Sequence, residues 1–315
     1  MNNTVFAVKK QKLKCATHLL GATLRRFPAF GGIKFTFARI SFREVSRTLK
    51  IKLTNRETFC ILKEISGKNY IEMEKEFSNV YDDKVRAEAY DRLEFPGTYY
   101  LAFRDLPAII SKHVQGKKAL DFGCGTGRST RFLQALGFDV VGVDIAENML
   151  ALARKRDPHG EYRLVPDGKL DGFAASTYDL VLCAFTFDNI PTMEKKVLLF
   201  QSLKRLLKPN GCIVSVVSSP EIYVNEWASF STKNFPQNRN AKSGEKVFIV
   251  MLDVEDSRPV EDIIWTDEAY EETYKLAGLV PIDIYKPLGN ETEPYKWVSE
   301  KMIAPWVIYV LRAID

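Results

Sequence analysis

Cysteine and histidine are scarce in this 315-residue chain, and long apolar runs are missing altogether. The five cysteines, Cys15, Cys60, Cys124, Cys183 and Cys212, are odd in number and widely spaced. No CxxC pair is present to begin a zinc site or a redox motif, and the pattern fits a reducing compartment better than a disulfide framework. No uninterrupted apolar stretch approaches the roughly 18 residues that span a bilayer. The N-terminus also lacks a compact apolar core followed by a small-residue cleavage site, so membrane spanning and secretion are both disfavoured. There is neither an internal repeat nor a low-complexity tract.

Acidic residues are almost absent from the first 55 positions, where twelve basic side chains face the single acid Glu44. The net charge of +5 therefore hides a body with six more acids than bases. Such a body has no excess of positive charge for a polyphosphate backbone, which disfavours nucleic acid as a partner. The basic stretch shows no clean helical or strand periodicity. It reads as a targeting segment of mitochondrial type, as a disordered basic tail, or as upstream sequence ahead of a domain that starts at Met73. The expected organisation is residues 1–72 as a basic N-terminal segment and residues 73–315 as one domain, in the cytoplasm unless the basic segment directs it to mitochondria.

From Asp82 the apolar positions Val85, Ala87, Ala89, Tyr90 and Leu93 suggest a helix ended by Phe95-Pro96-Gly97, and a second helix is expected over Tyr99–His113. Short apolar runs then alternate with amphipathic segments. Ala119–Phe122, Val140–Ile145, Tyr162–Val165, Leu180–Phe187 and Cys212–Ser218 read as strands; Arg128–Leu136, Asn148–Lys155 and Met193–Leu207 read as helices. Strands separated by helices of this length imply an α/β domain, doubly wound around a mostly parallel sheet. Two insertions interrupt it, at 220–264, with a hairpin from Val247–Val254 and Asp262–Trp265, and at 287–304. Between them fall a helix over Asp267–Ala277 stopped by Gly278 and a strand over Val280–Tyr285; a last strand, Val307–Leu311, follows.

The most informative segment is Ala119-Leu120-Asp121-Phe122-Gly123-Cys124-Gly125-Thr126-Gly127, a strand running into a glycine loop and then a helix. A dinucleotide fingerprint needs its third glycine at position 128, which is Arg128; here the third glycine is Gly127. Asp121, two residues ahead of the glycines, would repel a pyrophosphate and welcome an ammonium group. The loop read with Asp121 resembles motif I of the class I S-adenosylmethionine-dependent methyltransferases.

That resemblance implies a seven-stranded Rossmann-like sheet with inserted segments capping the substrate, and S-adenosyl-L-methionine as cofactor. It places Gly123, Cys124, Gly125 and Gly127 around the cofactor. Asp144, ending Val140-Val141-Gly142-Val143, would accept from the ribose hydroxyls, although a nicotinamide dinucleotide would require the same acid. Ile145, Asn148 and Met149 would flank the ribose and adenine. Asp167 and Gly168, after the third strand, match the position of the family's acid for the adenine amino group, with an exposed turn as the alternative for Asp167. Ala184 lies where the fourth strand meets the cofactor. Tyr178-Asp179-Leu180-Val181 and Leu207-Lys208-Pro209-Asn210-Gly211 match later motifs. Where many relatives carry a histidine pair, this chain has Phe187-Asp188-Asn189-Ile190-Pro191.

Cys124 reads as a small loop residue, since no histidine or basic cluster is near to activate it. His18, His113 and His159 are poorly placed to act as a base, which leaves Asp188 as the catalytic candidate or, equally, as a cap for the following helix. Tyr99, Trp227 and Trp297 are candidate substrate contacts, with structural packing as the alternative. The implied activity is methyl transfer to an O or N atom of a small molecule, and no metal is expected. An RNA or protein methyltransferase, and a non-catalytic cofactor-binding regulator, are the competing readings.

Overall fold

The computed structural model describes residues 95–314 together with Asp83, Ala87, Glu88 and Asp91. The basic segment 1–72 and most of the helix expected from Asp82 lie outside the described residues. The chain enters through α1 (Gly97–Arg104) and α2 (Leu106–His113). A single helix was expected over 99–113; Pro107 explains the break, because it lacks an N–H and its ring would clash one turn back, so it sits in the first turn of a new helix.

Then come β1 (Lys118–Phe122), α3 (Arg128–Ala135), β2 (Asp139–Asp144), α4 (Glu147–Arg156), β3 (Glu161–Leu164), β4 (Tyr178–Ala184), α5 (Met193–Leu206) and β5 (Leu207–Ser218). The first insertion contributes β6 (Phe230–Ser231), β7 (Lys246–Met251) and β8 (Val260–Ile263), an antiparallel sheet of three strands. The domain closes with α6 (Asp267–Ala277), β9 (Leu279–Tyr285) and β10 (Trp306–Ala313). Gly278 ends α6 at φ +74°, a left-handed conformation that glycine adopts without a Cβ penalty.

The main sheet has the order β3-β2-β1-β4-β5-β10-β9. All pairs from β3 to β5 are parallel, and β10 runs antiparallel to both of its neighbours. Successive side chains of a strand point to opposite faces, and β4 shows how this builds two cores. Leu180 and Leu182 join Leu101, Leu106 and Ile110 of α1 and α2 on one face. Val181 and Cys183 join Phe200 and Leu203 of α5 and Tyr270 and Tyr274 of α6 on the other. The doubly wound, mostly parallel seven-stranded fold read from the sequence is therefore present.

The order of the strands reverses on either side of β1 and β4, and such a switch point opens a crevice beyond their carboxyl ends. Both ends turn sharply there. At β1 the chain enters the glycine loop; at β4 it stops at Ala184, three residues earlier than expected. Phe185 takes φ +64°, a region bulky side chains rarely occupy, and starts a short turn over Thr186–Asn189.

Candidate cofactor and acceptor site

The glycine loop is fixed to the sheet by its own backbone. Gly123 and Cys124 donate N–H bonds of 2.8 and 3.0 Å to the Val143 carbonyl of β2. Gly127 has φ +80°, and a Cβ there would lie 2.6 Å from the Tyr162 hydroxyl, so both conformation and space require glycine.

Asp121, at the end of β1, is fully buried. Its Oδ2 accepts from Ser129 Oγ at 2.7 Å and Thr130 Oγ1 at 2.6 Å, both in the first turn of α3. Its Oδ1 is buried with no hydrogen-bond partner. Burial pushes the carboxyl up to about 6, with a further push from Asp144 and opposition from the two hydroxyls. A buried acceptor without a donor costs on the order of 1–3 kcal/mol, so the geometry fits a cation or donor arriving at Oδ1. Asp144 accepts from Gly125 N at 2.8 Å and Ala146 N at 2.9 Å, tying the glycine loop to the entry of α4. Two acids thus face one glycine cradle, one for an ammonium and one beside the polar edge of a nucleoside.

Next to the cradle, past the carboxyl ends of β4 and β5, lies a cavity. Its walls are Tyr99, Phe185, Phe230, Ile249, Met251 and Trp306; its polar groups come from Asp188, Asn189, Ser218, Tyr223 and Asp262. The Tyr99 hydroxyl donates to Met251 Sδ at 3.4 Å, and Trp306 Nε1 donates to the Thr98 carbonyl at 2.8 Å, so both rings are held in place.

Behind the cavity sits Lys196, fully buried. Its ammonium donates to the Phe187 carbonyl and lies 4.8 Å from the Trp265 ring centroid and 5.1 Å from that of Tyr270. Burial pulls Lys196 down from the ordinary lysine value, opposed by Asp188 and Asp262. Burial pushes Asp188 up, against the attraction of Lys196 and hydrogen bonds from Ser218 and Tyr270. Asp262 is pushed up to about 7 by burial and by repulsion from Asp188.

Residues 120–215 match the family model described as "Methyltransferase domain". Over these residues, which run from β1 into β5, the chain is similar to a methyltransferase domain. Its relatives include a protein named ubiquinone biosynthesis O-methyltransferase from Bordetella avium, 34% identical over 141 residues, which cover 42% of this chain and 48% of that one. The chain thus spans about half the length of that relative. Another is named N-demethylindolmycin N-methyltransferase from Streptomyces griseus, 24% identical over 192 residues, covering 60% of this chain and 80% of the other. Among solved structures, the CcbJ methyltransferase from Streptomyces caelestis superposes with a TM-score of 0.54 at 19% identity, over 75% of this chain and 98% of its own, which establishes the shared fold.

Within the fold the residues singled out from sequence divide clearly. Asp121, Gly123, Gly125, Gly127 and Asp144 converge on the cradle. Met149 is buried, packed with Ala87 and Ala146, while Asn148 Oδ1 accepts the Met149 N–H at 2.9 Å. Ile145 stands exposed at the rim and Ala184 is half-buried at the end of β4. Asp167 is an exposed left-handed turn residue paired with Lys169 at 3.2 Å; Gly168 beside it is buried. Cys124 is buried and its thiol is pushed well up by burial and by Asp121 and Asp144, which disfavours a nucleophilic thiolate.

The two tryptophans need correction. Trp227 is buried in the core with Nε1 donating to the Ile222 carbonyl at 2.9 Å, and Trp297 lies against Tyr295 with Nε1 on the Asn290 carbonyl. Neither lines the cavity: Trp227 packs within the core, and Trp297 stays within the second insertion. Tyr99 does line it. Asp188 neither caps α5 nor stands open: Thr192 caps that helix, and Asp188 accepts from Ser218 N, Ser218 Oγ and Tyr270 OH. The residues missed are Lys196, Tyr223, Asp262 and Trp306. Lys196 was visible as a lysine at i−4 and i−7 from the core residues Phe200 and Leu203, on the apolar face of α5.

Proposed function

We propose that this chain transfers a methyl group from S-adenosylmethionine to a nitrogen or oxygen atom of a small-molecule acceptor. The observation that carries the reading is the buried, donor-less Asp121 Oδ1 at the glycine cradle, beside an aromatic-walled cavity at the same switch point. Asp121 would hold the ammonium of the cofactor's amino-acid end, and Asp144 its ribose hydroxyls. Ile145, Asn148 and Met149 would bound the nucleoside, with Gly168 and Ala184 shaping the floor. When bound, S-adenosylmethionine supplies an electrophilic methyl group whose bonding pair leaves with sulfur.

The chain's own work is orientation and exclusion of water. Phe185, Phe230 and Trp306 supply a dry wall, and α1 and the first insertion close over it through Tyr99 and Met251. Among the described residues, no lysine, arginine or histidine lines the cavity, which supports a small molecule over a nucleic-acid backbone. No helix of the described residues is long and apolar enough to cross a membrane. Cys124, Cys183 and Cys212 are free thiols, in keeping with a reducing compartment such as the cytoplasm. The working domain runs from about residue 73, with residues 1–72 dispensable for cofactor binding.

The test is incubation of the full chain with methyl-labelled S-adenosylmethionine and fractionated cell extract. Label in the metabolite fraction is expected. Label confined to RNA or protein, or tight cofactor binding with no transfer to any fraction, overturns the reading.

A further inference from the structure

We infer that Asp262, carried by the inserted sheet, is the residue that receives the acceptor's proton, and that the acceptor presents an amine on an apolar body. The inference rests on the methyl-transfer reading and names its acceptor class. Asp188 and Asp262 both line the cavity, but their surroundings differ. Asp188 is held by the Ser218 backbone N–H at 3.1 Å, the Ser218 hydroxyl at 2.9 Å and the Tyr270 hydroxyl at 3.4 Å. A carboxylate accepting three bonds is a fixed structural anion. Asp262 accepts one hydrogen bond among the described residues, from the Tyr223 hydroxyl to Oδ2 at 3.2 Å, which leaves Oδ1 to a ligand.

Charge selects the acceptor. Among the described residues, the only charged side chains lining the cavity are two carboxylates. The nearby cation, Lys196, is enclosed by Phe187, Trp265 and Tyr270, donates away to a backbone carbonyl, and does not line the cavity. A second buried cation, Arg128, lies 5.2 Å from the Tyr99 ring centroid and is also outside the lining, so the two carboxylates that do line the cavity favour an ammonium over a carboxylate or phosphate. Tyr99, Phe185, Phe230 and Trp306 line the cavity with aromatic carbon that suits the apolar body of such an amine.

The proton step balances simply. An N–H bond of the bound ammonium breaks with its electron pair remaining on nitrogen, an O–H bond forms at Asp262 Oδ1, and the freed pair is the nucleophile. The proton passes to water when the methylated product leaves. The groups around Asp262 are Asp188 from the turn after β4, Lys196 from α5, Tyr223 from the first insertion and Glu261 beside it on β8. Asp188 and Glu261 raise its proton affinity; Lys196 and Tyr223 lower it. The balance lies upward, which narrows the gap between this base and a desolvated ammonium.

The test uses the full chain loaded with S-adenosylhomocysteine and a panel of arylalkyl amines, each matched with the alcohol and the carboxylate of the same skeleton. Calorimetry is expected to show at least one amine binding roughly tenfold or more tighter than its alcohol, with no carboxylate bound. Asp262→Asn should erase that preference and leave S-adenosylhomocysteine affinity unchanged. With labelled cofactor, the same change should lower kcat by a factor of roughly 100 or more, and Asp262→Glu should restore part of it. In the unaltered enzyme kcat should fall as pH drops through the Asp262 value, a readout that does not depend on a variant folding. Equal binding of amines and alcohols, binding of no amine while S-adenosylhomocysteine binds, or an unchanged kcat in Asp262→Asn overturns the inference. Failure of S-adenosylhomocysteine itself to bind overturns the methyl-transfer reading instead.

Discussion

Asp188 shows how a residue's partners decide its role. Its place after β4 made it the candidate base in the sequence, yet its oxygens face Ser218 and Tyr270 inside the protein. Removing the carboxylate leaves the Ser218 N–H and the Tyr270 hydroxyl without an acceptor and Lys196 without its nearest anion. Asp188→Ala should therefore lower stability by about 1–3 kcal/mol for each group left unsatisfied, measured by urea unfolding, with S-adenosylhomocysteine affinity unchanged. Unaltered stability combined with a large loss of turnover would return Asp188 to the role of base. Asp121 and the three loop glycines were legible as a strand-end cradle because backbone conformation and a fixed spacing define them. Asp262 was not, because one of two adjacent acids within Val260–Ile263 looks like any half-exposed strand residue until the cavity beside it is known.

At the scale of elements, the alternating core was legible because each strand's apolar period is short and each helix carries one apolar face. Val181 and Cys183 against Leu180 and Leu182 need no long-range knowledge to be assigned to two faces. The insertions gave no such period, and their aromatics were misassigned for that reason. What organises them is a buried acid that composition cannot reveal. Glu300, in the second insertion, is fully buried and accepts from Thr98 Oγ1 of α1 at 2.7 Å, Ala228 N of the first insertion at 2.7 Å and Val298 N at 2.8 Å. Thr98 and Ser229 complete the joint with reciprocal bonds of 2.9 and 3.0 Å. One carboxylate thereby fastens both insertions to the helix that bears Tyr99. Charge-assisted bonds contribute about 1.5–3 kcal/mol each, so Glu300→Ala should cost at least about 3 kcal/mol. It should also speed amide hydrogen exchange across residues 226–232 and 297–303 while the glycine cradle stays protected. Exchange rising uniformly over the whole domain would show instead that the joint is inseparable from the core.

For the whole molecule, the parallel sheet brings two devices to one switch point. The cradle at the end of β1 is built from sequence-local parts and falls in the segment that is similar to methyltransferase domains. The cavity beyond β4 and β5 is assembled from α1, the first insertion and β10, elements far apart in the chain, and is where this protein is individual. The central claim is that the cradle binds S-adenosylmethionine through an ionised Asp121. Because burial raises Asp121 to about 6 in the ligand-free protein, and only the carboxylate attracts an ammonium, affinity must fall as pH drops through that value. The most direct measurement is calorimetric titration of the full chain with S-adenosylhomocysteine at about pH 7.5 and about pH 5, beside the Asp121→Asn variant and with NAD as the competing ligand. The account predicts one-to-one binding that weakens roughly tenfold at the lower pH, a weaker and nearly pH-independent affinity in the variant, and no binding of NAD. Binding of NAD in preference to S-adenosylhomocysteine, or an affinity indifferent to both pH and Asp121→Asn, would contradict it.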